Sequence, residues 1–433
     1  MNAVFSLLMY LSILLPSILL LFLNVRTRMS RKNPLFFMSF VGVFVFNVIG
    51  SFEVFYNEKI FSIAYYSSMG AVIAIFYFLF ILFRLEEKTF AIQWSSIFER
   101  RPIVNVPLLG ALGAFTIGMF MLYYSRHGLP PIFEFDKGGW DVYKARGEKW
   151  TTLPEGTHWY QMGFFFIPTF LIVYCYILKV LHKKLFFTVL FYVTLIVSFP
   201  FLTIVGSKSP MIDMIFSLFI AQIMLKPGML RLSLIFKYVF VALFIFFIIM
   251  VIQLQDRSEW DVLLLIPGFL FDRIGSVYAE AHAHMLNLIP AQFDYFYGLG
   301  MSNPGGIFPY TPVNLSHFLG YQVNGHLQNY SMPSFTHLYA NFGWVGFFAD
   351  FIILFCMISI VQFFFKNQAK SPVVLTCYIM TIKKLLNFSI ETIQLVFSEE
   401  IVLVILLIIF FDFLFESVVI RSNRAPFRRF AHQ

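Results

Sequence analysis

Charge is what this 433-residue chain has least of. Asp, Glu, Lys and Arg make up 12% of it, where a soluble domain carries about 25%. With 59% hydrophobic residues and a mean hydropathy of +0.78, no water-soluble domain of ordinary size fits, and a polytopic membrane protein is expected. Cysteine is nearly absent too. Cys175, Cys356 and Cys377 all fall inside apolar runs, which excludes a disulfide-stapled external loop and a cysteine-built zinc site. No internal repeat, low-complexity segment or soluble-domain linker interrupts the chain. A cleavable leader is not expected either, because a basic cluster follows the first apolar run, Ala3–Leu23, which therefore reads as a retained span.

What is abundant is hydrocarbon, including 59 phenylalanines. Runs long enough to cross a bilayer, about 20 residues each, fall at 3–23, 35–56, 61–83, 103–124, 159–179, 185–206, 209–225, 232–253, 334–365, 372–396 and 399–420. The expected fold is all-α with about eleven transmembrane helices. The chain divides into N-terminal helices over 1–253, a large loop over 254–333, and C-terminal helices with a basic tail over 334–433.

The net charge of +8 does not point to nucleic acid, because of how it is distributed. Arg26, Arg28, Arg31 and Lys32 follow the first span. Arg84, Lys88, Arg100 and Arg101 follow the third. Lys179, Lys183 and Lys184 follow the fifth, and Lys226, Arg231 and Lys237 the seventh. Lys366 and Lys370 follow the ninth, and Arg421, Arg424, Arg428 and Arg429 the last. Basic residues thus concentrate in every second connection, which the positive-inside rule places in the cytoplasm. The N-terminus is then outside, the C-terminus inside, and the two long connections, 125–158 and 254–333, lie outside. Seven histidines (His127, His158, His282, His284, His317, His326 and His337) lie in those connections or at their edges. Long connections this rich in aromatics suggest function rather than disorder.

Within the second connection, Phe271–Leu288 reads as one amphipathic helix lying in the membrane interface. Helical spacing puts Arg273, Ser276, Glu280, His284 and Asn287 on one face, with Ala281 and Met285 opposite. Glu280 and His284, at i and i+4, can share a proton. His282 points away from that pair, and His-Ala-His cannot present both rings on one face, so no metal is expected. Phe293–Tyr330 then mixes rings such as Tyr295, Tyr297, Tyr310, Tyr321 and Tyr330 with the amides Asn303, Asn314, Asn324 and Asn329. That mixture suits sugars, which offer apolar C–H faces and hydroxyl edges.

In the first connection, Tyr143, Lys144 and Arg146 form a compact basic group on the side where topology disfavours it. It suits a phosphate or pyrophosphate. Lys208, in the turn Gly206-Ser-Lys-Ser-Pro210, sits beside a helix start where an anion could bind. Lys383, Lys384, Asn387, Glu391 and Gln394 share a stripe of the 372–396 span. Ionisable groups at such depth face a bundle interior or an aqueous cavity.

Three stretches carry a family resemblance: Gly206-Ser-Lys-Ser-Pro210 opening a span, the Tyr143/Arg146 loop, and Leu338-Tyr-Ala-Asn-Phe-Gly-Trp-Val-Gly346. With the layout of the whole chain, they resemble the Wzy-type oligosaccharide repeat-unit polymerases, the O-antigen polymerase class of bacterial inner membranes. The resemblance implies a glycosyltransferase of GT-C-like architecture. It would transfer a growing glycan from undecaprenyl pyrophosphate to the next lipid-linked repeat unit, without metal or soluble cofactor. External arginines bind the pyrophosphate in that family, which maps here to Arg146 and Arg273. Many relatives carry an Arg in the penultimate span region, where this chain has Lys383 and Lys384. Glu280 is the first candidate for the base that takes the acceptor proton, with His326 and His337 in reserve. Tyr143, Lys144, Lys208, His284 and Tyr330 complete the substrate-binding candidates. Expected partners are the undecaprenyl-pyrophosphate-linked oligosaccharide, membrane lipid and a chain-length regulator protein, with no nucleic acid. An O-antigen ligase and a polysaccharide flippase or other transporter are the competing functions.

Overall fold

The computed structural model describes residues 3–56, 62–86, 104–128, 160, 162–203, 209–225, 237–238, 240–241, 244, 276–301, 309–326, 330–368 and 371–386. Every regular element among them is helical. Seven helices are long and apolar enough to cross a membrane: Val4–Arg26, Pro34–Phe55, Ile63–Leu85, Val106–Arg126, Met162–His182, Leu185–Leu202 and Ser334–Phe363. Pro210–Leu225 and Pro372–Lys383 are shorter apolar helices. The chain is a multi-pass membrane protein. Of the expected spans, 399–420, most of 232–253 and the end of 372–396 lie outside the described residues.

The contacts divide the chain into two units. The first holds α1 (Ala3–Arg26), α2 (Met29–Lys32), α3 (Pro34–Val43), a π-helical stretch over Phe44–Ile49, α4 (Ser51–Tyr56) and α5 (Ile63–Leu85). Asn33 and Ser62 cap α3 and α5 by accepting from the N–H groups of Phe36 and Tyr65. Phenylalanines fuse the bundle, with Phe36 against Phe76 and Phe83 at 5.9 and 5.3 Å between ring centroids. Burying rings of this size supplies most of the packing energy available to a helix pair in lipid. The contacts also give direction. Ser12 and Pro16 of α1 bond the hydroxyls of Tyr66 and Tyr77 in the same order along α5, so α1 and α5 run the same way.

The second unit contains α6 (Val106–His127), a π-helical turn over Met162–Phe166, α7 (Ile167–His182), α8 (Leu185–Thr203) and α9 (Ser209–Leu225). Its core gathers Ile172, Cys175, Phe191, Leu202, Met211, Met214 and Ile215. Gly163 lets α6 come close, since a Cβ there would lie 2.8 Å from that of Met119. Lys179, at the end of α7, sets its ammonium 4.5 Å from the Tyr192 ring centroid. Its apolar stem thus stays in the bundle while the charge meets a π face.

Returning to the first unit, the chain re-enters as α10 (Val277–Leu288), a strap over Ile289–Met301, α11 (Leu315–Asn324) and α12 (Ser334–Gln368). The sequence suggests one span over 334–365. The structure instead turns back at Gly343, whose φ of 64° and ψ of −149° are non-helical and open in practice to glycine alone. The two arms lie antiparallel. Ser334 donates a hydrogen bond to Asp350, sixteen residues on, which a straight helix would place about 24 Å away. Phe335 stacks on Phe351 at 5.8 Å. Gly346 approaches the Leu338 carbonyl so closely that a Cβ would sit 2.1 Å from its oxygen. The short arm, 334–342, therefore folds back along the long arm, which runs from 344 onward. Phe76–Phe351 and Phe83–Phe355 contacts show the long arm running parallel to α5. Hence Arg26, Arg84 and Lys366 close three helices at one end of this unit.

In a protein lacking its native cysteines, the double variant Ser334→Cys/Asp350→Cys should form an intramolecular disulfide on mild oxidation. Peptide mapping reads the result, and no cross-link under conditions that oxidise a loop control pair would restore the single continuous span.

Candidate functional site

The turn at Gly343 strips carbonyls of their usual helical donors, and the strap supplies replacements. Phe296 N–H donates to the Ala340 carbonyl at 3.1 Å and Tyr297 N–H to that of Asn341 at 2.9 Å. The Asn341 side chain completes the clasp. Its Oδ1 accepts from the N–H groups of Gly298 and Gly300 at 3.1 and 2.9 Å, and its Nδ2 donates to the His337 carbonyl at 2.8 Å. Tyr295 packs against Gly343, where a Cβ would fall 2.9 Å from its ring. Tyr339 Oη donates to the Ile289 carbonyl at 3.0 Å. Tyr297, Phe342 and Trp344 are left exposed around the turn.

Beneath the clasp lies a polar layer that the sequence reading missed. His282 is fully buried. Its Nε2 meets Ser68 Oγ and its Nδ1 meets Thr336 Oγ1, each at 2.8 Å. A neutral imidazole presents one donor and one acceptor. Because the Ser68 hydroxyl donates to the Tyr65 carbonyl at 2.7 Å, it accepts from Nε2–H, and Nδ1 accepts from the Thr336 hydroxyl. Tyr65, Phe335 and Phe347 rings surround it. Burial pushes the His282 pKa from 6.5 down to about 3, because the charged form has no water to solvate it. The layer continues through the Tyr65 hydroxyl, 2.8 Å from Ser51 Oγ, which donates to the Asn47 carbonyl. Asn47 is itself fully buried, and its amide has no hydrogen-bond partner among the described residues.

α10 has no exposed residue over Val277–Leu288. It packs against α4, α5, α11 and the π-helical stretch, and Ala279, Ala281, His282, Ala283, Met285 and Leu286 are all buried. The alanines beside His282 are the signal that could have found it, since small residues mark a face that approaches its neighbours closely.

Glu280 and His284 are half-buried on the same helix. Glu280 lies within electrostatic range of the Tyr65 hydroxyl, and burial holds the His284 imidazole below its ordinary pKa. His337 is half-buried on the short arm of α12. His326 is exposed, with Nδ1 3.0 Å from the Asn324 carbonyl. Tyr330 is held by Ser316, whose hydroxyl donates to its carbonyl, and its own hydroxyl accepts from Asn324 Nδ2 at 3.3 Å. Lys383 is half-buried on α13 (Pro372–Leu386). Lys384 lies on the same helix, with its side chain outside the described residues. Tyr143, Lys144, Arg146, Lys208 and Arg273 also lie outside them. The structure thus gathers Glu280, His282, His284 and His337 in one unit, which also holds Lys383, and leaves Lys144, Arg146, Lys208 and Arg273 without a described position. No group of three or more His, Cys, Asp or Glu suited to a metal ion occurs among the described residues.

No protein-family model, no curated protein and no solved structure matches this chain.

Ser68→Ala and Thr336→Val should each lower stability by about 1–3 kcal/mol, the cost of leaving one ring nitrogen buried without a partner. Acid should also destabilise the native protein. The folded pKa of His282, about 3, lies below its ordinary 6.5, so the unfolded chain takes up a proton first. Stability is full above pH 6.5 and falls as pH drops toward 3. Melting curves against pH, with His282→Gln as reference, test this. An equally steep acid limb in the variant would remove His282 as the cause.

Proposed function

We propose that this chain polymerises undecaprenyl-pyrophosphate-linked oligosaccharide repeat units into O-antigen or a related surface polysaccharide, on the periplasmic face of a bacterial inner membrane. The observation that carries this reading is the exposed aromatic rim of Tyr297, Phe342 and Trp344 around the Gly343 turn, in the unit that also holds Glu280, His284 and His337. Aromatic faces bind the C–H faces of sugars, and a multi-pass membrane protein is where a lipid-linked glycan can be met. The common direction of α1, α5 and the long arm of α12 supports the topology, because Arg26, Arg84 and Lys366 then share the cytoplasmic side. The N-terminus is periplasmic and the C-terminus cytoplasmic, with about eleven helices in a GT-C-like arrangement.

In this proposal Lys144, Arg146, Lys208 and Arg273 neutralise the departing pyrophosphate, and Lys383 and Lys384 provide further positive charge. Tyr143, His284 and Tyr330 hold sugar, while Glu280 takes the acceptor hydroxyl proton, with His326 and His337 as the alternative bases. A second reading, a carrier for the same lipid-linked glycan, draws on the broken α12 with its buried Asp350, features suited to ion-coupled transport.

The surface glycan of a deletion strain decides among the functions. A single repeat unit on lipid A core is the outcome expected of a polymerase. Bare core with accumulated lipid-linked polymer would make the chain a ligase, and bare core with repeats confined to the cytoplasmic leaflet a carrier. In the polymerase case, Arg146→Ala should abolish long chains while the protein still inserts, and wild-type chains from that variant would refute the pyrophosphate role.

A further inference from the structure

Asp350 is fully buried on the long arm of α12. Its Oδ2 accepts from Ser334 Oγ, at the start of the short arm. Its Oδ1 is buried with no hydrogen-bond partner among the described residues. Phe335, Phe347 and Phe351 pack in contact with one another alongside it. A bare carboxylate in such surroundings carries a large desolvation penalty even after relaxation. One neutral hydroxyl and the positive end of a nine-residue helix, worth about half a charge, do not balance it. One oxygen also remains unsatisfied.

We propose that Asp350 and Ser334 form a buried site for one monovalent cation, either a proton or a sodium ion. Both answer the same demand, a single positive charge placed at Oδ1, and both require the hairpin arms to part for entry. Titratable groups on the elements packed against the hairpin include Tyr65, Tyr66, Tyr77 and Arg84 on α5, Tyr278, Glu280, His282 and His284 on α10, and Asp294, Tyr295 and Tyr297 on the strap, with His337 and Tyr339 on the short arm. His282 is already satisfied by Ser68 and Thr336, so it supplies no charge. No Lys or Arg is hydrogen-bonded or ion-paired to Asp350 among the described residues. The cation is therefore the compensating charge, and its binding ties the closed hairpin to ionic conditions. This holds whatever the substrate is, and its failure would leave the glycan reading untouched.

Linkage provides the test, since a ligand bound only by the folded state raises Tm with its concentration. Purified full-length protein and Asp350→Asn are melted against sodium chloride, with choline chloride as control, at fixed pH, and then against pH without sodium. For a sodium site, sodium should raise the Tm of the unaltered protein by several degrees and leave Asp350→Asn unmoved. For a proton site, the two proteins should differ in their alkaline limb and share any sodium response. Identical dependence on both variables would overturn the proposal and leave Asp350 as a cap for the short arm. Should Asp350→Asn fail to fold, dicyclohexylcarbodiimide labelling of the unaltered protein, which requires a protonated carboxyl, is read by peptide mass spectrometry. Labelling at Asp350 that falls with rising pH or with sodium supports the site. Labelling indifferent to both, or none, overturns it.

Discussion

Inside an apolar bundle no water stands ready to accept what a broken helix releases, so every backbone break must be repaired by protein. The reversal at Gly343 is such a break, and much of the first unit is arranged to repair it. The strap over Ile289–Met301 lies where it does because the N–H groups of Phe296 and Tyr297 serve the freed carbonyls of Ala340 and Asn341. Asn341 then fixes the strap's own glycine-rich path through Gly298 and Gly300. The same reversal brings Thr336 to His282 and Ser334 to Asp350. The place of Thr336 in the polar layer, the exposed aromatic rim and the pairing of the buried carboxyl with Ser334 all follow from one glycine conformation.

Parts of this arrangement are legible in the sequence and others are not, for physical reasons. Seven long apolar helices are legible because hydrophobic length is a local signal, and the shared direction of α1, α5 and the long arm of α12 is compatible with the alternation of basic flanks. The stretch Leu338–Gly346 stood out by its aromatic, small and amide residues, but as a helix entrance. Its true role, a reversal, was hidden because a glycine in an apolar run looks the same whether the helix continues or turns. The excess length of 334–365 was the available clue, since a bilayer core needs only about 20 residues. The role of His282 is hidden for a different reason. Periodicity places a residue on a helix face, and whether that face meets lipid, water or another helix depends on partners distant in sequence, here Ser68 and Thr336. Glu280 and His284 were rightly seen as neighbours on a helix, whereas the depth at which that helix packs was not legible. The five cationic or aromatic candidates at 143, 144, 146, 208 and 273 remain known from sequence alone.

The π-helical stretch at Phe44–Ile49 bears on how the second span stays in phase with α5. Phe36 meets Phe76 at 5.9 Å between centroids and, nineteen positions later, Phe55 meets Tyr65 at 5.8 Å. At about 100° per residue, nineteen α-helical steps would rotate the second contact roughly 100° away from the first. A π turn absorbs one residue and reduces the advance to that of eighteen steps, which are five whole turns. Both ends of the span therefore press on the same neighbour. An ordinary helix one residue shorter would achieve the same alignment, so the extra residue is not required by packing. What it adds is the bulge itself, with Asn47 turned into the bundle.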